Sequence, residues 1–211
     1  MKLFSRLAVL LAVLSLASLS FAADASSFKP PPGSKVAIVV FEDLECPDCA
    51  NAYPLVFEAA NAHKIPVLLH DFPLPKHPWS FDAAVYARFF DTKSQAMGND
   101  FRGYIYKNQP NISAGNLRQY VQKFADENKV ALPFAIDPMG TLKAKVQADY
   151  SLGQRINLEH TPTIFVVGNG GPSTPFVEVV DRQQLSQIIE DMQAKAGSSP
   201  SPVKRASAKK K

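Results

Sequence analysis

The stretch VVFEDLECPDCANAYP (39–54) decides the fold. It holds the two cysteines of the chain, Cys46 and Cys49, separated by Pro47 and Asp48. A β-branched run, KVAIVVF (35–41), stops just before them and reads as a buried strand. After them Cys49, Tyr53, Val56, Phe57 and Ala60 recur at helical spacing. The order is strand, Cys-x-x-Cys, helix, with Pro54 inside the helix and expected to kink it. Four carboxylates crowd the pair: Glu42, Asp43, Glu45 and Asp48.

Further along, IPVLLHDF (65–72) reads as a second strand, followed by PLPKHP and a long helical region. Ser80 is placed to cap a helix that turns Phe81, Ala84, Val85, Arg88 and Phe89 to one side. Phe101, Tyr104 and Ile105 suggest another. Ser113 is placed to cap a third, with Leu117, Tyr120, Val121 and Phe124 inward, and Asp137-Pro138 is expected to open a fourth. The pattern then returns to strands: TIFVVG (163–168), a turn at NGGPST and a hairpin partner FVEVV (176–180). Asp181 and Gln184 form a capping-box pattern before a helix lined by Leu185, Ile188, Ile189 and Met192. The predicted class is α/β, in the order β-α-β, helical insertion, β-β-α.

The chain ends differ from this body. Residues 1–22 carry Lys2 and Arg6, then an apolar run and small residues, the order of a cleaved secretory signal; the run is short for a membrane span. The stretch 197–211 is basic, lacks aromatics and is expected to stay unfolded. Two of the 23 basic residues lie in 1–22 and five in 197–211, and neither segment has an acid. The other 16 basic residues face 19 acidic ones, so the overall +4 charge belongs to the ends and does not argue for a nucleic-acid-binding domain.

Three chemistries compete for Cys46 and Cys49. A structural zinc takes four ligands, and the four histidines (His63, His70, His77 and His160) are scattered with no second pair at ligand spacing. A structural bridge this short closes almost no loop and gains little chain entropy. A redox pair explains more: a Cys-x-x-Cys at a helix N-terminus places its first sulfur near free backbone N–H groups and the positive dipole end, which favour thiolate. Cys46 is then the exposed nucleophile, and Cys49, one turn inward, resolves the mixed disulfide. Export strengthens this reading, because disulfides persist outside the cytoplasm. The second element is EHTPTIFVV, where Pro162 directly precedes a strand. It suits either a cis bond or an ordinary trans proline opening the strand.

The segments FEDLECPDC, DFPLPKHPW (71–79) and HTPTIFVVG (160–168), taken together, resemble the DsbA-like thiol–disulfide oxidoreductases of the thioredoxin superfamily. The resemblance covers 34–195. It implies a thioredoxin-like fold in which 75–152 is a helical insertion covering the site. Cys46 would attack and Cys49 resolve, Pro162 would be cis and face the cysteines, and Thr161 would offer backbone groups to a client peptide. It implies cysteine-containing client proteins and a membrane or soluble redox partner, with no cofactor and no nucleic acid, in a periplasmic or secreted setting.

Departures accompany the resemblance. Many relatives carry a buried proton-accepting carboxylate six positions before the first cysteine, where this chain has Val40. Glu42 lies on the same strand face as a substitute, although it reads more simply as a solvated strand end. The inner dipeptide is Pro47-Asp48, and a carboxylate beside a thiolate disfavours it. His160 either leans over Cys46 in compensation or is a loop histidine without a role. His63, His70 and His77 read as surface or loop residues, and Trp79 as core or lid. With the acids cancelling the helix, a Cys46 pKa nearer to thioredoxin's than to a strong oxidase's is expected. The rival function is a secreted thioredoxin-fold copper chaperone binding through Cys46 and Cys49, since thiolates suit soft copper.

Overall fold

The computed structural model describes residues 28–169 and 176–197. The expected signal segment, most of the basic tail and most of the NGGPST turn lie outside them. Four strands form one sheet in the order β2-β1-β3-β4. β1 (Val36–Glu42) is central, parallel to β2 (Val67–Asp71) and antiparallel to β3 (Thr163–Gly168); β4 (Phe176–Glu178) closes the edge beside β3.

Helices cover both faces. Val36, Ile38 and Val40 pack with Ile164 and Val166 against Ala52, Val56, Ala59 and Ala60 of α1 (Pro47–His63) and Leu185, Ile189 and Met192 of α6 (Leu185–Gly197). The alternate residues Ala37, Val39 and Phe41 pack with Phe165, Val167 and Phe72 against Leu152 of α5 (Thr141–Arg155). Every residue of β1 is therefore buried, which is why it reads as a continuous apolar run rather than an alternation. The pleat also assigns Glu42 its side. It shares the α1-facing set with Val40 and ends up beneath that helix.

Between β2 and β3 the chain makes α2 (Ser80–Asp91), α3 (Gln95–Asn108), α4 (Leu117–Glu127) and α5. Their core, including Phe90, Phe101, Ile105, Val121 and Phe124, is continuous with Leu44, Cys46 and Cys49. Three expected caps differ. Ser80 is the first residue of α2, after Trp79, because its hydroxyl donates to the Asp43 carboxylate. α4 starts after Asn116, whose Oδ1 accepts from the Ser113 N–H at 2.7 Å. Asp137-Pro138 lies in a turn, and α5 starts at Thr141 after Gly140, whose φ of 71° needs a glycine; Asp137 still caps that helix from the turn, accepting from the Lys143 N–H at 2.8 Å. Asp181 does cap, accepting from Gln183 N–H at 3.0 Å, but a 3-10 turn over Arg182–Gln184 intervenes before α6.

Candidate active site

β1 delivers the chain to the top of the sheet, and α1 begins with Pro47 at its first position, so Cys46 is the N-cap residue and Cys49 lies in the first turn. Pro47 and Asp48 are exposed between them. Both cysteines are free thiols. Both are also buried, Cys46 at 7% and Cys49 at 3% exposure, which corrects the expectation of an exposed Cys46. The reason is tertiary: the loop before β3 and the helical insertion close over the first turn of α1. The Cys46 thiol donates to the Thr161 carbonyl at 3.3 Å, across 115 positions of sequence. The Thr161-Pro162 bond is cis. Pro162 borders a narrow cleft with Cys49, Glu42 and Tyr53. His160 is exposed and lines a neighbouring groove with Phe28, Phe165 and Phe176.

The two sulfurs differ in acidity although both are buried. Hydrogen bonding from the Cys49 thiol, followed by contributions from Thr161 and the backbone N–H groups of Cys49 and Asp48, outweighs desolvation and brings Cys46 down to about 5. Burial pushes Cys49 well up, and the Cys46 charge adds to it. The Asp43 N–H donates to Cys49 Sγ at 3.4 Å. Its hydrogen bonds make Cys46 more acidic than the count of nearby carboxylates suggested, and each of those carboxylates has a partner of its own. Glu45 accepts from the Trp79 N–H at 2.8 Å. Asp43 accepts from the Leu74 N–H at 2.7 Å and the Glu45 N–H at 2.8 Å, and contacts His77 Nδ1 at 2.7 Å. Asp48 is paired with Arg182 from the turn before α6.

Glu42 is not a solvated strand end. It is 3% exposed, accepts from the Tyr106 hydroxyl at 2.9 Å, and has Arg102 Nε 2.9 Å from its Oε1. Arg102 is fully buried and donates two hydrogen bonds to Asp91, at 2.8 and 3.0 Å. Asp71, opposite Glu42 in the β1–β2 register, is held by Arg88, which also reaches Asp149. Four carboxylates thus share two guanidinium groups. Burial, opposed by Arg102, leaves Glu42 at about 7. Asp71 is raised for the same first reason.

Of the histidines read as surface or loop residues, His77 does lie in a loop and His70 lies in β2. His70 stacks on Phe41 and contacts Asp149 at 2.8 Å, and His77 is tied to Asp43, so neither is a plain surface residue. Trp79 is core, 4% exposed and in the same cluster as both cysteines. Sequence reading missed Arg102 and Arg182. Arg102 left a trace, since it recurs with Phe101 and Ile105 on the inward side of α3; Arg182 left none. Among the described residues no group of three or more His, Cys, Asp or Glu side chains is placed to hold a metal ion. A copper-binding reading therefore rests on the two thiols alone.

The thioredoxin family model matches residues 31–196. No curated protein matches the chain. Among solved structures, it is similar to Wolbachia pipientis alpha-DsbA1, with a TM-score of 0.64 and 17% identity over 79% of this chain and 90% of that one. The thiol-disulfide exchange protein alpha-DsbA2 of the same organism gives 0.59 and 17% identity, covering 77% of this chain and 84% of that one. Salmonella enterica Typhimurium BcfH gives 0.62 and 17% identity, covering 90% and 88%. A matched family model over most of the chain, a cis-proline loop facing a Cys-x-x-Cys helix N-terminus and this shared architecture lead to one assignment: the chain belongs to the thioredoxin family and has the fold of its DsbA-like members.

Proposed function

We propose that the protein is an extracytoplasmic thiol–disulfide oxidoreductase that exchanges disulfides with cysteine-containing client proteins through Cys46-Pro47-Asp48-Cys49. The observation that carries this reading is the seating of Cys46, at the N-cap of α1, against the carbonyl that precedes the cis proline, with the thiols of Cys46 and Cys49 displaced in opposite directions. Cys46 is brought to about 5 and Cys49 is pushed up, with Thr161 O 3.3 Å from Cys46 Sγ. In the oxidised protein a client thiolate attacks Cys46 Sγ. The Cys46–Cys49 bond breaks, and Cys49 leaves as a thiolate and takes a proton. A second client thiolate then attacks the client sulfur of the mixed disulfide and expels Cys46 as a thiolate. The client loses two electrons and the protein gains them; reduction of a client is the reverse.

Each residue has a part in this cycle. A sulfur held near pH 5 is a good leaving group at neutral pH. Glu42, in the same cleft as Cys49 and titrating about 7, serves as the local proton store for the buried thiol. Thr161 offers its backbone to a client strand beside Cys46, and Pro162 shapes that edge. The Thr161 hydroxyl has no other hydrogen-bond partner and faces the sulfur as a donor for the thiolate. The charged, apolar, small-residue order of 1–22 supports export, and a soluble or membrane partner restores the starting redox state.

The test is a pair of variants assayed with a reduced, cysteine-containing model client. Cys46→Ser abolishes exchange. Cys49→Ser, given the same client in its disulfide form, accumulates mixed disulfides, because its Cys46 thiolate breaks the client disulfide and the resolving thiol is gone. Normal turnover from either variant rules the mechanism out.

A further inference from the structure

Asp48 sits between the two reactive cysteines, where a free carboxylate opposes the thiolate. In the structure it is not free. Arg182 Nη2 meets Asp48 Oδ2 from 134 positions away, bringing the turn after β4 onto the first turn of α1. The Arg182 backbone is fixed there by Asp181, which caps the 3-10 turn through Gln183 N–H at 3.0 Å and accepts from the Gln184 side chain at 3.3 Å. The guanidinium is 29% and the Asp48 side chain 54% exposed, so the pair lies at the rim, outside the buried network. It is still close enough to the sulfurs for Cys46 and Cys49 to count among the charges acting on Arg182.

We infer that Arg182 is a positioning residue for the redox pair: by holding and neutralising the Asp48 carboxylate it keeps that charge from opposing the Cys46 thiolate, and so makes the Cys46–Cys49 disulfide more oxidising. This rests on the thiol–disulfide reading above. The sign follows from the inventory of groups around Cys46. Cys49 donates from α1 and Thr161 faces it from the loop before β3. Glu45 is bonded to Trp79, Asp43 to His77, and Glu42 is beside Arg102. His160 stands exposed on the same loop as Thr161. Asp48 is the carboxylate within the redox motif itself, and Arg182 is its partner. With Asp48 compensated, the helix N-terminus and the thiol hydrogen bond prevail.

The experiment is a charge cycle read by thiolate absorbance of the reduced, full-length protein at low ionic strength. Arg182→Gln raises the Cys46 pKa by about half a unit, the size of effect expected from an exposed pair. Asp48→Asn stays close to wild type, because the charge it removes is already compensated, Arg182→Gln added to Asp48→Asn raises the pKa clearly less than Arg182→Gln alone, and Arg182→Lys stays close to wild type because a single N–O contact suffices. The equilibrium with glutathione moves about threefold toward the disulfide in Arg182→Gln. All of these differences shrink as salt is added. An unmoved pKa in Arg182→Gln at low salt overturns the proposal. An equal rise in the Asp48→Asn background overturns it too, since Arg182 would then act on the sulfur directly. A wild-type pair that does not equilibrate with glutathione refutes the redox function instead, and the pKa cycle still reads the Arg182–Asp48 coupling.

Discussion

Replacing Glu42 by Gln tests whether a carboxyl beneath α1 holds a proton in the folded state. The folded pKa is about 7 against an ordinary 4.5, and burial is the leading cause. A carboxyl raised on folding binds more protons in the native than in the unfolded chain. Native stability therefore falls as pH rises through the window from about 4.5 to about 7, and the loss is complete above it. The full shift corresponds to about 3 kcal/mol, of which about 2.5 kcal/mol falls between pH 5 and pH 8. Gln keeps the shape and the acceptor for Tyr106 but does not ionise. Urea unfolding of the reduced proteins at the two pH values provides the assay. The difference in stability between Glu42→Gln and wild type moves in favour of the variant by roughly 2 kcal/mol or more from pH 5 to pH 8. A difference that is the same at both values refutes the reasoning, because Glu42 would then titrate alike in both states. A difference that moves in favour of wild type refutes it more strongly, because Arg102 would then outweigh burial.

Two other outcomes follow from the same structure. Cys46 is lowered on folding from an ordinary 9.0 to about 5, so its thiolate stabilises the reduced protein above pH 5, and this contribution is lost as pH falls through 5. Compared with Cys46→Ser, the reduced wild type gains about 1–2 kcal/mol between pH 5 and pH 7 after allowance for solvent screening, and parallel denaturant curves that never diverge with pH exclude this. At Gly98 an added Cβ would lie 1.7 Å from Asp91 Oδ1, so Gly98→Ala drives Asp91 off Arg102 and leaves a buried cation short of two hydrogen bonds. The expected cost is about 3 kcal/mol, seen as a lowered denaturant midpoint with unchanged slope; an unchanged midpoint shows that Asp91 is dispensable.

What was legible in the sequence depended on short-range pattern. The apolar run of β1 and the helical spacing after Cys49 placed the cysteine pair at a helix N-terminus, because a buried strand and an amphipathic helix each write their period into neighbouring residues. The resemblance added a cis Pro162 facing the pair, which spacing alone left open, and the structure has that bond. Element starts were less secure. Ser80 and Ser113 had the right residue type for caps, but the Ser80 hydroxyl is taken by Asp43 from 37 positions away, a competitor that a local reading does not see, and α4 starts later, after Asn116, whose Oδ1 accepts from the Ser113 N–H.

The charges around the sulfurs were decided by tertiary structure alone. By sequence, Glu42, Glu45 and Asp48 all surround Cys46 and oppose its thiolate. In the fold each has a different owner: Arg102 from α3, the Trp79 N–H from the start of α2, and Arg182 from the turn before α6. Residue type and spacing determine which elements form and where a helix N-terminus meets a thiol. The effective charge at that thiol depends on which distant cations and N–H groups reach each carboxylate and on how much water remains around it. Both quantities arise only when segments far apart in the chain are packed together.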